Sequence, residues 1–461
     1  MSCSFPNSPK KTGELLSAIP ETAMKAKRPK EHSPGSWIIF SYFSNIDGKA
    51  SSQHIDDRIP HLASLGVKPF IVSSICGDRA SGVAHYRVPS IAPSGARFEL
   101  RYIKRKSKIL RCAVVPLLAA ILPLYLIEKA IINLESEWSW FPLAFLRGLL
   151  LHRRFHFELI YSTGGPASAH LAAGLLARCA KIPWIAELQD PIVFKDWTRS
   201  KTALRISSWL ERFILGRASS VVFLTEGARE TSIRRTGADV AKTYVIYPGA
   251  CAPDEPQTIY RKGNLCRFAH FGSFGGSRNP QTFMEGLQTV LDQKPDMIEK
   301  VRFDFYGTMD SSSGKLITTF KYREVVTDFG KVSRLDALRE MRKSDALVLI
   351  QNLDDLSYET IPSKVYEYLQ ADRPILGLVY KNPDLKKMLL EQGHFAAEAD
   401  SPAEISVRIS QILERWGSRD WDGRSFPDSP YTVSDAAEKL LAICRGKAQV
   451  GGHFPGVNRF L

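Results

Sequence analysis

The residues with most chemical potential lie together in Tyr358-Glu-Thr-Ile-Pro-Ser-Lys-Val-Tyr-Glu-Tyr-Leu369. Pro362 suits the first turn of a helix because it has no N–H to leave unpaired. The amides of Ser363, Lys364 and Val365 then project from that end, where hydrogen bonding and the helix dipole attract phosphate. Lys364 adds positive charge, and the Ser363 hydroxyl adds a donor. Glu367, a turn further in, can accept hydrogen bonds from vicinal hydroxyls such as those of a ribose. Glu359 precedes the helix, within loop reach of a sugar hydroxyl. In isolation the same residues also describe an ordinary helix start with Glu367 turned to solvent, so the surrounding elements must decide.

Those elements alternate. Trp37-Ile-Ile-Phe40, Pro69-Phe-Ile-Val-Ser73, Phe157-Glu-Leu-Ile-Tyr161, Pro183-Trp-Ile-Ala186, Ser220-Val-Val-Phe-Leu224 and Tyr244-Val-Ile-Tyr247 read as strands. Helical stretches lie between them, the first over His54 to Leu65. After Pro248-Gly249 a second series follows, with strands at Arg267-Phe-Ala-His-Phe271, Val301-Arg-Phe-Asp-Phe-Tyr306, Ala346-Leu-Val-Leu-Ile350 and Pro374-Ile-Leu-Gly-Leu-Val379. Strands alternating with helices predict parallel βαβ units. Two doubly wound halves result, and a ligand between them sits outside the carboxyl ends of the strands. A terminal helix is expected over Tyr431 to Ile443, with an apolar stripe at Ala436, Ala437, Leu440, Leu441 and Ile443.

These residues carry a family resemblance. Glu359, seven intervening residues and Glu367 resemble the E-x7-E signature of retaining family 4 glycosyltransferases, in a bacterial envelope and exopolysaccharide subgroup. Leu369-Gln-Ala-Asp-Arg-Pro-Ile-Leu-Gly377 is similar to the tail of that signature, with Asp372 where members usually have Gly. Phe268-Ala-His-Phe-Gly-Ser-Phe-Gly-Gly-Ser-Arg-Asn-Pro280 resembles the strand and glycine-rich loop that open the second domain. Glycines there let the backbone approach a pyrophosphate, and Arg278 can neutralise its charge. Many members carry an Arg and a Lys in this loop; with Arg278 alone, part of the charge falls to Lys364. Phe329-Gly-Lys-Val-Ser-Arg-Leu-Asp-Ala-Leu338 is similar to the step flanking the nucleotide base, with Lys331 and Val332 as base neighbours. In the first half, Ser162-Thr-Gly-Gly-Pro-Ala-Ser-Ala-His-Leu171 and Pro183-Trp-Ile-Ala-Glu-Leu-Gln-Asp-Pro191 resemble paired cleft segments. They place His170 and Asp190 near the transferred sugar or the acceptor. Asn45-Ile-Asp-Gly-Lys49 stands where members have a glycine-rich loop, with Gly48 its one glycine.

The resemblance implies an α/β protein of the GT-B fold, two Rossmann-like doubly wound domains facing a central cleft. Its expected layout is a flexible tail over 1–34, an acceptor domain over 35–248, a linker over 249–264 and a sugar-nucleotide domain over 265–430. The terminal helix, 431–445, is expected to pack back on the first domain, and 446–461 to form a loose tail. The implied activity is retaining, metal-independent transfer of a hexose-type sugar. The donor is a UDP- or GDP-sugar co-substrate with no further cofactor, and the acceptor is lipid-linked or a polysaccharide of the cell envelope. In that scheme Gly272, Ser273, Arg278, Ser363 and Lys364 hold the diphosphate, Glu367 the ribose and Glu359 a hydroxyl of the donor sugar. Arg278 and Lys364 stabilise the leaving group, while His170 and Asp190 serve the acceptor side. A GT-B nucleotide-sugar epimerase shares the architecture, and a noncatalytic sugar-nucleotide-binding subunit fits the lone glycine at Gly48.

Composition narrows the rest. Among 461 residues, 62 Lys and Arg against 48 Asp and Glu leave a net charge of +14. That suits anionic membranes, phosphate-bearing substrates or nucleic acid. No nucleic-acid-binding module or stripe of interleaved aromatics is present, and no nucleic-acid partner is expected. The seven cysteines form no CxxC pair, which fits a reducing cytoplasm rather than a disulfide framework or zinc site. No Walker P-loop or complete GxGxxG occurs. His152 and His156, four apart, enclose Arg153 and Arg154 and read as basic surface. Asp304, Asp345, Asp354 and Asp355 read as strand-end or loop residues rather than a glycosidase pair.

One segment breaks the alternation. A basic run from Arg101 to Lys108 leads into the uncharged stretch Cys112 to Ile127, 16 residues with Pro116 and Pro123. This is shorter than the roughly 20 residues of a bilayer-spanning helix. The simplest reading is a buried helix pair of the first domain. The functional one is a membrane-docking segment over 101–132, placing the enzyme peripherally at the inner face of the plasma membrane.

Overall fold

The computed structural model describes residues 35–46, 49–80, 82–104, 108–193, 200–251, 260–418, 426 and 428–446. The expected tails over 1–34 and 447–461, most of the linker, and Gly48 lie outside the described residues.

Two all-parallel sheets carry the chain. The first holds β1 (Ser36–Phe40), β2 (Lys68–Ser73), β3 (Ala84–Arg87), β4 (Leu159–Gly164), β5 (Trp184–Leu188), β6 (Ser220–Phe223) and β7 (Thr243–Val245). Their spatial order is β3-β2-β1-β4-β5-β6-β7. The second holds β8 (Cys266–Phe271), β9 (Val301–Tyr306), β10 (Val326–Gly330), β11 (Ala346–Ile350), β12 (Ile375–Val379) and β13 (Phe395–Glu398), in the order β10-β9-β8-β11-β12-β13. Both orders reverse direction beside their first strand, which opens a crevice at the carboxyl ends of β1 and β4 and of β8 and β11. The central strands are buried along nearly their whole length because helices cover both faces; β11, Ala-Leu-Val-Leu-Ile, is buried at every position.

Three strands have no counterpart in the pattern reading: β3, β10 and β13. Each is an edge strand. An edge strand needs no continuous apolar run, and Ala-His-Tyr-Arg or Val-Thr-Asp-Phe-Gly has none. The expected helix over His54 to Leu65 is two short helices, Ala50–Asp56 and Arg58–Ser64. The Asp57 side chain between them turns to Arg334 of the second half. Asp372 sits at φ 54°. This is the left-handed region, which explains why glycine suits the position and why Asp, a residue that tolerates it, can stand there.

The apolar segment is not a buried pair. It is one helix, Lys108–Ile131, of 24 residues. It lies along the helix Pro93–Lys104. Arg97 of that neighbour donates to the Leu118 carbonyl at 2.7 Å, next to the Ala119 carbonyl that Pro123 leaves without its helical donor. Only 6% of the window Val114–Ile131 is buried.

The chain closes on itself at its far end. The helix Val433–Cys444 buries Ala436, Ala437, Leu440 and Leu441 against Ile39, Ile55, Ile59 and Leu62 of the first half. Leu440→Ala should cost about 2–5 kcal/mol. The loss should appear as a lower denaturant midpoint in the fluorescence of Trp37 and Trp184, both buried in the first half.

Candidate functional site

The site is built from the carboxyl end of β8. Its buried run ends at Phe271, whose amide donates to the Tyr368 hydroxyl at 2.8 Å. Gly272 follows at φ 150° with its amide on the Tyr306 carbonyl. A β-carbon at Gly307 would lie 1.7 Å from the Gly272 carbonyl oxygen, so this approach requires glycine at 307. Phe274 folds back onto the His270 ring at 4.5 Å between centroids. A bridge between Gly275 and Arg278 then pins the turn. Ser273 is exposed at its rim.

Arg278 is brought in with its Nε buried and without a hydrogen-bond partner. Burial pulls its pKa down, partly offset by Asp354. Lys364 enters from the other side, its Cε 3.0 Å from where a β-carbon of Gly272 would lie. His270 lies beneath both. Burial is the main cause of its pKa falling to about 3, and the charges of Lys364 and Arg278 add to the effect. Its Nδ1 meets the Val348 carbonyl at 2.8 Å, which leaves the buried Nε2 without a partner. Gly272, Arg278, Lys364 and neutral His270 therefore form one cationic corner.

The helix of the E-x7-E segment is shorter than expected. It spans Lys364–Leu369, six residues, and Pro362 lies in the turn before it. The Val365 amide is not free, because it donates to the Pro362 carbonyl at 3.0 Å. Ser363 and Lys364 carry the amides at the start of this turn. Glu367 faces the same crevice at 13% exposure and accepts from Arg334 Nε at 3.0 Å. Arg334 also reaches Asp57 of the first half at 3.0 Å, and thus ties the second glutamate of the signature across the cleft. Glu359 is 11% exposed and lies 3.5 Å from Arg235, which is held by Glu211 at 2.8 Å. Burial raises the pKa of Glu359, and Arg235 counters it.

The two halves meet around Glu359. Its carbonyl accepts from the Thr225 hydroxyl at 2.7 Å. Tyr358 donates to Glu230 at 2.8 Å, and Asp384 accepts from the Glu226 amide at 2.9 Å. Gly227 allows this contact, since a β-carbon there would lie 2.2 Å from the Tyr358 carbonyl oxygen. A narrow gap between the halves is lined by Gln189, Asp190, Thr225, Arg235 and Glu359. Asp190 opens to solvent at its mouth, yet the surrounding protein raises its pKa and Lys49 opposes the rise.

Other expected residues fall elsewhere. His170 is fully buried, with Nδ1 2.9 Å from the Ser162 hydroxyl and Nε2 3.3 Å from the Gly164 carbonyl. It braces β4 from below and touches no ligand surface; a His on the apolar face of Ala167–Ala180 packs inward with its neighbours. Lys331 is exposed and Val332 half-buried just after β10. Beside them Phe329, 49% exposed, ends a stack of rings running through Tyr306 to Phe271, with spacings of 4.5 and 4.6 Å. Among the described residues no group of three or more His, Cys, Asp or Glu is arranged to hold a metal. Asp304 and Asp345 are structural: one pairs with Arg267 at 2.7 Å, and the other accepts from Trp416 at 3.0 Å.

Arg235 lay outside every segment singled out in the sequence, and Arg334, Phe329 and Lys49 lay inside such segments without being assigned a role. Arg235 and Arg334 act through partners distant in sequence, Glu359 and Asp57.

Residues 78–249 match the family described as glycosyl transferase 4-like domain. Among solved structures the chain resembles HepE of Anabaena in complex with UDP and glucose. The TM-score is 0.58 at 13% identity, covering 90% of this chain and all of that one. It also resembles sucrose-phosphate synthase of Thermosynechococcus elongatus, at TM-score 0.57 and 12% identity over 90% of this chain and 98% of that one. A third is a mutant form of S. aureus TarM with fondaparinux, α-GlcNAc-glycerol and UDP, at 0.57 and 9% over 89% and 99%. No curated protein shows significant sequence similarity. The chain has the GT-B fold, and the match to the glycosyl transferase 4-like domain falls within its first half. The cationic corner lies in the other half, outside that match.

Buried imidazoles make the structure acid-sensitive. His170, His54 and His85 have pKa values lowered to about 4, mainly by burial, and His394 to about 3. Below their ordinary value of 6.5 the unfolded chain takes up protons that these folded sites refuse, so stability falls as pH drops from 6.5 toward 4. The carboxyls of Glu99, raised to about 7, and Asp56, raised to about 6, act in the opposite direction and offset part of the fall. Between pH values of about 7 and 5.5 the thermal midpoint should drop, each imidazole removing ~1 kcal/mol of stability at the lower pH. His170→Asn should show a shallower fall in the same scan.

Proposed function

We propose that the protein is a nucleotide-sugar-dependent glycosyltransferase that transfers a hexose-type sugar with retention of anomeric configuration. One observation carries the reading: the charges of Lys364 and Arg278 both bear on buried His270 beside Gly272, and neither has a carboxylate in salt-bridge distance among the described residues. Two half-buried cations around one neutral imidazole repel each other and call for an anion of matching charge. A nucleoside diphosphate supplies it. The Ser273 amide beside Gly272 and the amides of Ser363 and Lys364 donate to its oxygens. Glu367 then receives the ribose hydroxyls and Glu359 a hydroxyl of the sugar. Lys331, Val332 and the Phe329 face flank the base.

Transfer is electrostatic and positional in this scheme. The bond from the anomeric carbon to the diphosphate breaks while the acceptor hydroxyl bonds to that carbon and passes its proton to an oxygen of the departing diphosphate. Lys364 and Arg278 stabilise the departing diphosphate and supply the charge that a divalent metal supplies elsewhere. Asp190, at the cleft mouth, orients the acceptor. The glycosyl transferase 4-like domain of the first half supports this division of labour. HepE and TarM, described with UDP, make a uridine donor the first to test, with GDP beside it. The acceptor we propose is a lipid-linked or polysaccharide glycan of the envelope, met on the cytoplasmic side.

Titration of the purified chain with UDP, GDP and ADP tests the reading. One nucleotide should bind saturably, and Lys364→Ala and Glu367→Ala should each weaken it by about 10- to 100-fold, the worth of a charge-assisted hydrogen bond. Absence of binding by any nucleotide, with no effect of either substitution, contradicts it. Binding followed by release of a 2-epimer of the donor sugar would mark the epimerase chemistry instead.

A further inference from the structure

The helix Lys108–Ile131 is held to the protein by one stripe. Val114, Leu118, Ile121, Tyr125 and Glu128 recur at intervals of three and four and are buried or half-buried. The remaining face is apolar and open: Val115, Leu117, Leu124, Leu126, Ile127 and Ile131 are 46–73% exposed. Exposed apolar surface of this extent, continuous along a helix, marks an interaction site. Its charge says with what. Between residues 101 and 127 the chain has six Lys and Arg and no Asp or Glu. A basic run leading into an exposed apolar face complements a bilayer surface with anionic headgroups.

From this juxtaposition we propose that the helix Lys108–Ile131 lies in the interface of an anionic membrane and seats the first domain on it. The partner helix argues against a span. Ser94 and Arg97 of Pro93–Lys104 bond along the same 18-residue window. The Ser94 amide meets Glu128 at 2.7 Å, and the Arg97 guanidinium meets the Leu118 carbonyl and lies 5.4 Å from the Tyr125 ring. A charged helix strapped to the middle of the window suits the headgroup boundary and is costly at bilayer depth. A helix lying in the plane keeps that strap on the protein side and its open face in the acyl chains.

The seat is wired to the cleft. Glu99 of Pro93–Lys104 accepts from the Ser90 amide and from the Tyr42 hydroxyl at 3.1 Å. Phe98 packs against Phe43 at 6.0 Å. Tyr42 and Phe43 follow β1 at its carboxyl end, and Lys49 lies over the Phe43 ring. A membrane under the apolar helix is thus joined by one layer of side chains to Lys49, whose charge acts on Asp190 at the cleft mouth. An acceptor carried on a lipid would reach the cleft without leaving the bilayer. This last step rests on the sugar-transfer reading; the membrane seat does not.

Flotation of the full chain with vesicles tests the seat. Phosphatidylcholine vesicles containing phosphatidylglycerol should carry the protein up the gradient, and phosphatidylcholine alone should carry much less. Leu117→Glu with Leu124→Glu, both on the open face, should reduce the floated fraction at least tenfold. The variant's far-ultraviolet circular dichroism and nucleotide affinity should stay unchanged, which separates lost docking from lost folding. In cells, membrane-bound protein should be released by alkaline carbonate. The proposal is overturned by equal flotation of the variant, by failure to float with either vesicle, or by resistance to carbonate, which denotes a span. It is equally overturned if the variant abolishes a dimer of a chain that never floats, for the face then belongs to a second copy. Failed flotation with intact nucleotide binding removes the seat alone, whereas flotation without nucleotide binding removes the sugar-transfer reading alone.

Discussion

Two positive charges that the fold refuses to neutralise shape the rest of the site. Lys364 approaches Gly272, and its charge and that of Arg278 bear on an imidazole that burial keeps neutral. Such an arrangement costs stability in the empty protein. It persists because stiff elements impose it: β8 below, the Gly272–Gly307 contact beside it, and the turn leading into Lys364–Leu369. The absence of a β-carbon at both glycines lets two loops touch backbone to backbone. An anionic ligand gains most where such donors are already in place and need no reorganisation on binding.

Around this corner, carboxylates are handled in the opposite way. Glu367 and Glu359, the two ends of the signature, each meet an arginine. Arg334 reaches onward to Asp57, and Arg235 comes from the first half altogether. Glu359 is therefore oriented by a contact that exists only when the halves face each other, and the arginine on Glu367 is anchored across the cleft by Asp57. Closure of the cleft and geometry of the site become one event, and Gly227 against Tyr358 and the Asp384 cap on Glu226 hold the same seam. The terminal helix Val433–Cys444 adds apolar burial on the far side. Substitutions along this seam should thus disturb the donor site without touching a ligand.

Much of this was legible in the chain itself. The central strands announced themselves because helices on both faces demand long apolar runs, and the E-x7-E spacing places a cation and a carboxylate on successive turns. Edge strands such as Val326–Gly330 were silent, being half exposed and polar. The helix Lys108–Ile131 was misjudged by length, since only the uncharged core was counted while Glu128 and Lys129 extend the helix and bond back to the protein. His170 looked like a cleft residue because its segment, Ser162 to Leu171, resembles a cleft segment of the family, yet its helix turns it inward, between Ser162 and Gly164. Arg235 and Arg334 were invisible for a different reason. Their partners across the cleft are far away in sequence, and no local pattern encodes such a pairing.

A structure of the chain soaked with UDP, and in parallel with GDP, tests the account where it is most exposed. The account predicts diphosphate oxygens on the Lys364 ammonium, the Arg278 guanidinium and the Ser273 amide beside Gly272, with the ribose hydroxyls on Glu367. A nucleotide lodged elsewhere, or an empty corner at saturating concentration, would contradict it.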